Sequence, residues 1–120
     1  MEDVEIIYHN DLGIAFKWKE GMAPNDDKRV QLVFRDMGFY LLPEEVILFS
    51  ENIKNAKRQN PGCTLCSAPG MCERNILLRS PFKKMDFAVN AAELHQICDL
   101  VEGTLFKMHL EYYLKYISPN

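Results

Sequence analysis

Apolar and polar residues alternate in four short segments near the start of the chain, and this alternation predicts β-strands. Residues 4–8 and 14–19 flank the turn sequence His9-Asn10-Asp11-Leu12-Gly13 and predict a hairpin within residues 1–19. Residues 30–34 and 39–42 predict two further strands, which follow a polar connection rich in Gly, Pro, Asn and Asp. The pattern therefore predicts four strands before the first helix.

The periodicity then changes from two residues to that of a helix. Pro43 suits the first helical position, and Glu44 and Glu45 lie at the positive end of the helix dipole. Lys57 and Arg58 fall in the predicted last turn. The apolar stripe consists of Val46, Phe49, Ile53 and Ala56. Residues 30–58 are thus predicted to form a ββα unit.

A second strand–strand–helix succession is predicted over residues 75–104, with strands at 75–79 and 85–89. Asn90 is suited to the N-cap of its helix, and Glu93 three positions later completes a capping box. The apolar stripe of this helix consists of Leu94, Ile97, Cys98, Val101 and Leu105.

The two ββα units align with a shift of 48 residues, which places Phe39 on Phe87 and Glu45 on Glu93. The other matched pairs are Leu41–Val89, Val46–Leu94, Phe49–Ile97 and Ile53–Val101. An internal duplication explains the alignment, although any two strand–strand–helix segments share part of it. The chain of 120 residues is predicted to be one α+β domain. Its mostly antiparallel sheet has about six strands, with two or three helices on one face.

Residues 105–117 are helical by propensity, but apolar or aromatic side chains cover most of the circumference. The polar stripe consists of Lys107, Glu111 and Lys115. Such a helix must be covered on nearly every side, and tyrosine is enriched at protein interfaces. We therefore predict a C-terminal helix that forms a homodimer; burial inside a layered fold is the alternative. The predicted interface residues are Leu105, Phe106, Met108, Tyr112, Tyr113 and Tyr116.

Three features occur together in the first half: Gly13 after the first strand, the strand at 30–34, and the sequence Phe39-Tyr40-Leu41-Leu42-Pro43-Glu44-Glu45-Val46. This combination resembles a family of small uncharacterised bacterial proteins, in which a strand, a helix start of the form hxLxxEEF and a second ββα half recur. The resemblance covers about residues 4–105 in pattern. It implies the α+β architecture and no particular activity.

Composition and charge narrow the classes of function. Fourteen basic and seventeen acidic residues give a net charge of −3, which argues against general attraction to nucleic acids or membranes. The acidic N-terminus does not resemble a signal peptide, and no apolar run approaches the roughly 18 residues of a membrane span. We therefore expect a cytoplasmic protein without membrane partners, whose thiols stay reduced.

Three of the four cysteines lie in the connection 59–74, with the spacing Cys-x2-Cys-x5-Cys. They are Cys63, Cys66 and Cys72. Two thiolates at this spacing can bind one zinc ion, and a metal would hold a connection of this length. His95 or Cys98 would supply the fourth ligand, although a cysteine on an apolar helix stripe is usually a small buried hydrophobe. Zinc is therefore a candidate cofactor, and a loop of unmetallated thiols is the alternative.

A redox role for the cysteines is disfavoured, because Cys63 follows a helix and precedes a strand rather than opening a helix. An iron–sulfur cluster is less favoured still, because it needs four ligands and usually different spacings. The histidines His9 and His109 are further metal-ligand candidates that the sequence does not rank.

Residues 54–84 carry a net charge of +6, whereas the rest of the chain carries −9. A basic segment beside a zinc knuckle is typical of an anion or nucleic-acid site. Its basic residues are Lys54, Lys57, Arg58, Arg74, Arg79, Lys83 and Lys84. The alternative is ordinary solvated charge, because Phe82 is the one aromatic residue among them and no base-stacking platform is evident.

Common signatures of enzymes are absent from the sequence, including the Walker loop, GxGxxG, HExxH and GxSxG. The sequence therefore favours a non-enzymatic binding or scaffold protein that self-associates through its C-terminal helix. A zinc-knuckle protein that binds anions or nucleic acid is the second hypothesis. A thiol-dependent enzyme, which requires a depressed pKa at Cys63, is the third.

Overall fold

The computed structural model describes residues 3–19, 29–60 and 74–117. The strands in these ranges are β1 (Val4–His9), β2 (Gly13–Trp18), β3 (Val30–Phe34), β4 (Met37–Leu41), β5 (Ile76–Arg79) and β6 (Asp86–Val89). The α-helices are α1 (Pro43–Gln59) and α2 (Ala91–Tyr112), and a π-helical turn, Tyr113–Ile117, continues α2. The predicted α+β class is confirmed.

The strands form two sheets, so the prediction of one six-stranded sheet is wrong. Strands β1 to β4 form an antiparallel meander in sequence order, and β5 pairs with β6 alone. The turn between β3 and β4 contacts the second sheet. There Arg35 adopts a positive φ of 57°, and its Nη1 donates to the Ala88 carbonyl of β6 at 3.2 Å. Arg35 thus links the first sheet to β6 through a side chain rather than through strand pairing.

The helices cover the inner face of the sheets and close one core. Helix α1 packs against β5 and α2, whereas α2 packs against β1 and β2. Phe87 of β6 lies at the centre, with ring centroids 5.4 to 5.9 Å from those of Phe34, Phe39 and Phe49. These separations are typical of packed aromatic pairs. The four rings therefore join both sheets and α1 in one hydrophobic cluster.

Both helix starts lie where the sequence predicts them. Pro43 occupies the first position of α1, and the predicted stripe of that helix is buried. In α2 the backbone N–H of Glu93 donates to Asn90 Oδ1 at 2.7 Å, and the Asn90 N–H donates to Glu93 Oε1 at 3.0 Å. The predicted capping box is therefore confirmed.

Arg74 adds an ion pair to this capping box that the sequence did not predict. Its Nε and Nη2 lie 2.9 to 3.1 Å from the carboxylate of Glu93, which is only 13% exposed. Burial alone raises the pKa of Glu93, but the hydrogen bonds from Arg74 and Asn90 outweigh it and lower that pKa. The carboxylate consequently stays ionised at the start of α2, where the helix dipole favours a negative charge.

A separate helix over 105–117 is not present, because α2 continues through Gly103 to Tyr112. Glycine weakens a helix interior by roughly 1 kcal/mol relative to alanine, and its presence here has a packing reason. A Cβ at Gly103 would lie 2.5 Å from the Tyr8 ring. Two ββα units do occur, β3-β4-α1 and β5-β6-α2; their origin by duplication stays a prediction. Among the described helices, none is long and apolar enough to cross a membrane.

Candidate functional site

A polar network fixes the middle of α2 to the β1–β2 hairpin. The Tyr8 hydroxyl donates to both carboxylate oxygens of Asp99, at 3.0 and 3.1 Å. Asn10 Nδ2 donates to Asp99 Oδ2 at 3.0 Å and to the Gln96 carbonyl at 2.9 Å. Its Oδ1 accepts the backbone N–H groups of the turn. The hydrogen bond to Asp99 raises the pKa of Tyr8 above its ordinary value of 10.0.

Beyond this network α2 leaves the body of the domain. Leu105 is its last buried residue, at 8% exposure. In the following segment, Phe106–Ile117, Met108 is half-buried and every other residue is exposed. We call this segment the C-terminal arm; its twelve residues extend about 18 Å at the rise of an α-helix. The arm is therefore an apolar helix that its own domain covers only in part.

One set of exposed apolar residues recurs along the arm at a regular spacing. Phe106, Leu110, Tyr113 and Ile117 are 64%, 41%, 49% and 58% exposed. They recur at intervals of four, three and four, which is the spacing of core positions in a coiled coil. We call these four residues the outer seam. None of them lines the groove on the opposite side of the arm.

That groove lies between the arm, sheet β1–β4 and the start of α1, and its volume is about 370 Å³. Its apolar and aromatic lining residues are Ile7, Val30, Pro43, Ile47, Leu105, Met108, Tyr112 and Tyr116. The ionisable lining residues are Lys17, His109, Glu111 and Lys115. Lys17 Nζ and Glu111 Oε2 form an ion pair at 2.9 Å, which links β2 to the arm.

Two aromatic contacts lie on the groove side near the end of the arm. The rings of Tyr112 and Tyr116 lie 4.9 Å apart between centroids. Lys115 Nζ lies 5.3 Å from the centroid of the Tyr116 ring, within the range of a cation–π interaction. The arm thus has an outer seam without charge and a groove side where aromatic and charged groups are mixed.

The predicted interface residues separate into three locations. Leu105 belongs to the core of its own domain. Phe106 and Tyr113 lie in the outer seam. The remaining predicted residues, Met108, Tyr112 and Tyr116, line the groove.

Sequence reasoning missed other residues of this region. The four-three-four spacing could have identified Leu110 and Ile117 of the outer seam. No local pattern links Ile7, Lys17 or Val30 to the arm, because they lie 76 to 99 residues before its first residue, Phe106.

The predicted zinc ligands Cys63, Cys66 and Cys72 lie outside the described residues. Of the proposed fourth ligands, Cys98 is half-buried against the core and His95 is exposed on α2. Within the described ranges, no group of three or more His, Cys, Asp or Glu side chains is placed to hold a metal ion. The zinc site and the thiol chemistry stay predictions.

The predicted basic residues are exposed and are distributed over α1, β5 and the connections beside β5. Lys54 lies 4.0 Å from Glu102, and Arg79 lies 4.0 Å from Asp86. Arg74 is paired with Glu93, as described above. A second cleft, of about 340 Å³, is lined by three amide side chains together with Ala56, Leu77, Arg79 and Asp86, so of the seven basic residues only Arg79 lines it. These contacts do not test the predicted anion or nucleic-acid site, which stays a prediction.

Comparison of the chain with protein-family models, with curated proteins and with solved structures gives no match.

Proposed function

We propose that this protein is a non-enzymatic binding or scaffold module that forms a homodimer through the outer seams of two C-terminal arms. The observation that carries the proposal is the exposure of the arm. The partner is a second copy, because the seam has the spacing of a helix that pairs with another helix. We also propose a cytoplasmic location, on the grounds of composition given above.

The exposed apolar area of the outer seam contributes part of a standard interface. The exposed fractions of Phe106, Leu110, Tyr113 and Ile117 together equal about two complete side chains. At about 150 to 250 Å² for each, as for aromatic side chains, the seam presents roughly 300 to 500 Å². Each partner in a standard interface contributes about 800 Å². The remainder of such an interface would come from side chains beside the seam, such as Leu114, which is 60% exposed and does not line the groove.

The seam is also compatible with two-fold symmetry. In an antiparallel pair centred between Glu111 and Tyr112, Phe106 of one copy meets Ile117 of the other, and Leu110 meets Tyr113. All four contacts are apolar, and the same patch serves both copies, as an isologous interface requires. The seam itself places no like charges opposite each other.

The experiment compares two leucine substitutions by light scattering after gel filtration. Leu110→Gln changes the centre of the seam and is expected to convert the dimer to a monomer. Leu77→Gln is the matched control, because Leu77 is 69% exposed on β5 and lies outside the arm. We expect it to leave the dimer intact. A dimer that survives Leu110→Gln, or an equal loss with both variants, would refute the seam as the interface.

A further inference from the structure

The groove beside the arm is not used by the proposed dimer, because no residue of the outer seam lines it. Its volume of about 370 Å³ lies within the range of small-molecule sites, about 300 to 1,000 Å³. It therefore offers a second binding surface, on a different face of the same helix.

The interior of the groove is apolar. Ile7, Val30 and Leu105 are among its lining residues and are 8%, 5% and 8% exposed, so they form its deep part. Ile47 of α1 and Met108 of α2 form part of its walls. Ile47 is 46% exposed although it faces this concave surface. An alkyl chain placed here would remove the exposed parts of Ile47 and Met108 from water and would lie on the three side chains that are already buried.

The ionisable groups of the groove favour an anion at its edge. Lys17 and Glu111 neutralise each other in their ion pair. Lys115 is different: its ammonium lies over the Tyr116 ring, and no carboxylate of a described residue lies within ion-pair distance. Its charge is accordingly available to a ligand, although the chain as a whole carries −3.

We propose that the groove binds an anionic amphiphile, namely a free alkyl carboxylate whose chain lies on Ile7, Val30 and Leu105 and whose carboxylate pairs with Lys115. Leu105 and Lys115 are ten residues apart on the helix, or about 15 Å along its axis. This separation suits an extended alkyl chain with its head at the tip of the arm. The ligand would also link the arm to the sheet, because residues of both the arm and the sheet line the groove.

The test uses calorimetric titration of the full chain with dodecanoate, decanoate and octanoate below their micelle concentrations. Each added pair of buried methylenes is expected to strengthen binding roughly tenfold, because each methylene buried contributes a similar increment. Dodecyltrimethylammonium has the same tail and the opposite charge, and we expect it to bind at least about tenfold more weakly. No saturable binding of dodecanoate, or equal binding of both head groups, would overturn the proposal.

Two matched pairs of variants locate the site. Ile47→Asn is expected to weaken dodecanoate binding about tenfold, whereas Leu48→Asn, on a neighbouring residue of 48% exposure that does not line the groove, is expected to leave it unchanged. Lys115→Glu should weaken binding similarly, whereas Lys107→Glu, on the same arm but outside the groove, should not. Equal effects within either pair would contradict the assignment.

The oligomeric state of the same samples separates this proposal from that of the dimer. Dodecanoate binding by a chain that is monomeric throughout would support the groove and refute the seam. If Ile47→Asn converts a dimer to a monomer and dodecanoate does not bind, the groove is a contact between copies and the ligand proposal is wrong. Association with phosphatidylglycerol vesicles without binding of free dodecanoate would also overturn it, in favour of a membrane surface.

Discussion

Replacing Gly103 with alanine tests how tightly α2 is held against the sheet. In an unconstrained helix interior this change stabilises the protein by about 0.5 to 1 kcal/mol, because glycine has more conformational freedom to lose. Here the added Cβ would lie 2.5 Å from both Cε2 and Cζ of Tyr8. The ring cannot move away without disturbing its hydrogen bonds to Asp99, which are 3.0 and 3.1 Å long.

The magnitude follows from these two opposing effects. Overpacking of this kind destabilises a protein by about 1 to 3 kcal/mol. The higher helix propensity of alanine than of glycine offsets about 0.5 to 1 kcal/mol of this loss. Gly103→Ala is therefore expected to lower the free energy of unfolding by up to about 2.5 kcal/mol. In a Tyr8→Ala background the ring is absent, and the same change is expected to raise that free energy by about 0.5 to 1 kcal/mol.

The assay is a double-mutant cycle by urea denaturation, followed through the fluorescence of Trp18, the one tryptophan of the chain. A reversal of sign between the two backgrounds is the expected result, with a coupling energy of about 1 to 3 kcal/mol. A stabilising Gly103→Ala in the wild-type background would refute the reasoning. So would a coupling energy below about 0.5 kcal/mol, which is the level for independent sites.

Three further predictions concern single groups of the fold. Tyr8→Phe is expected to lower the free energy of unfolding near neutral pH. The difference in stability between this variant and the wild type should vanish as pH rises past 10.0, because the raised pKa of Tyr8 means that the protonated hydroxyl is the stabilising form. A difference in stability that persists at high pH in urea titrations would contradict this. Glu93→Gln keeps the capping acceptor but removes the charge that pairs with Arg74, so it should cost about 1 to 2 kcal/mol near neutral pH. The cost should fall progressively below pH 4.5, since the lowered pKa of Glu93 makes the ionised form stabilising, whereas Glu44→Gln should change stability by less than about 0.5 kcal/mol. Equal costs for both variants would exclude a stabilising ion pair between Glu93 and Arg74. Phe87→Ala should lower the free energy of unfolding by about 3 to 5 kcal/mol in the same assay, because this ring, which is 4% exposed, joins the two sheets to α1. A loss under about 1 kcal/mol would show that the ring does not hold these elements together.

The helix boundaries near Pro43 and Asn90 could be predicted because their causes are local. A proline at the first helical position, or an amide three residues before a carboxylate, acts within one turn of helix. These short-range rules placed both helix starts correctly. The charge partner of Glu93, namely Arg74, was not predicted, because nothing in the intervening sequence specifies that contact.

The division into two sheets could not be predicted, because strand pairing is decided by distant contacts. Alternation identifies a strand but not its neighbour. The contact between Arg35 and Ala88, 53 residues apart, is visible only once the chain is folded. The boundary expected after residue 104 was wrong for a similar reason, since the contact with Tyr8 accounts for the glycine at 103 without a break in the helix.

The candidate site was predictable in part. The sequence indicates the helix that forms one wall of the groove, because residues 105–117 are apolar on more sides than one domain needs to bury. The groove was not visible, because Ile7 and Val30 of the sheet reach it only through the way α2 packs on β1 and β2. The position of the arm relative to the sheet depends on Tyr8 and Asp99, a pair 91 residues apart.

The molar mass of the unmodified chain at sedimentation equilibrium, measured over a range of micromolar concentrations, tests the central claim most directly. The chain mass is 13.9 kDa. A two-fold contact between C-terminal arms predicts a species of twice that mass, which dissociates to the monomer on dilution with a single dissociation constant. A mass of 13.9 kDa at every concentration would contradict the proposed function.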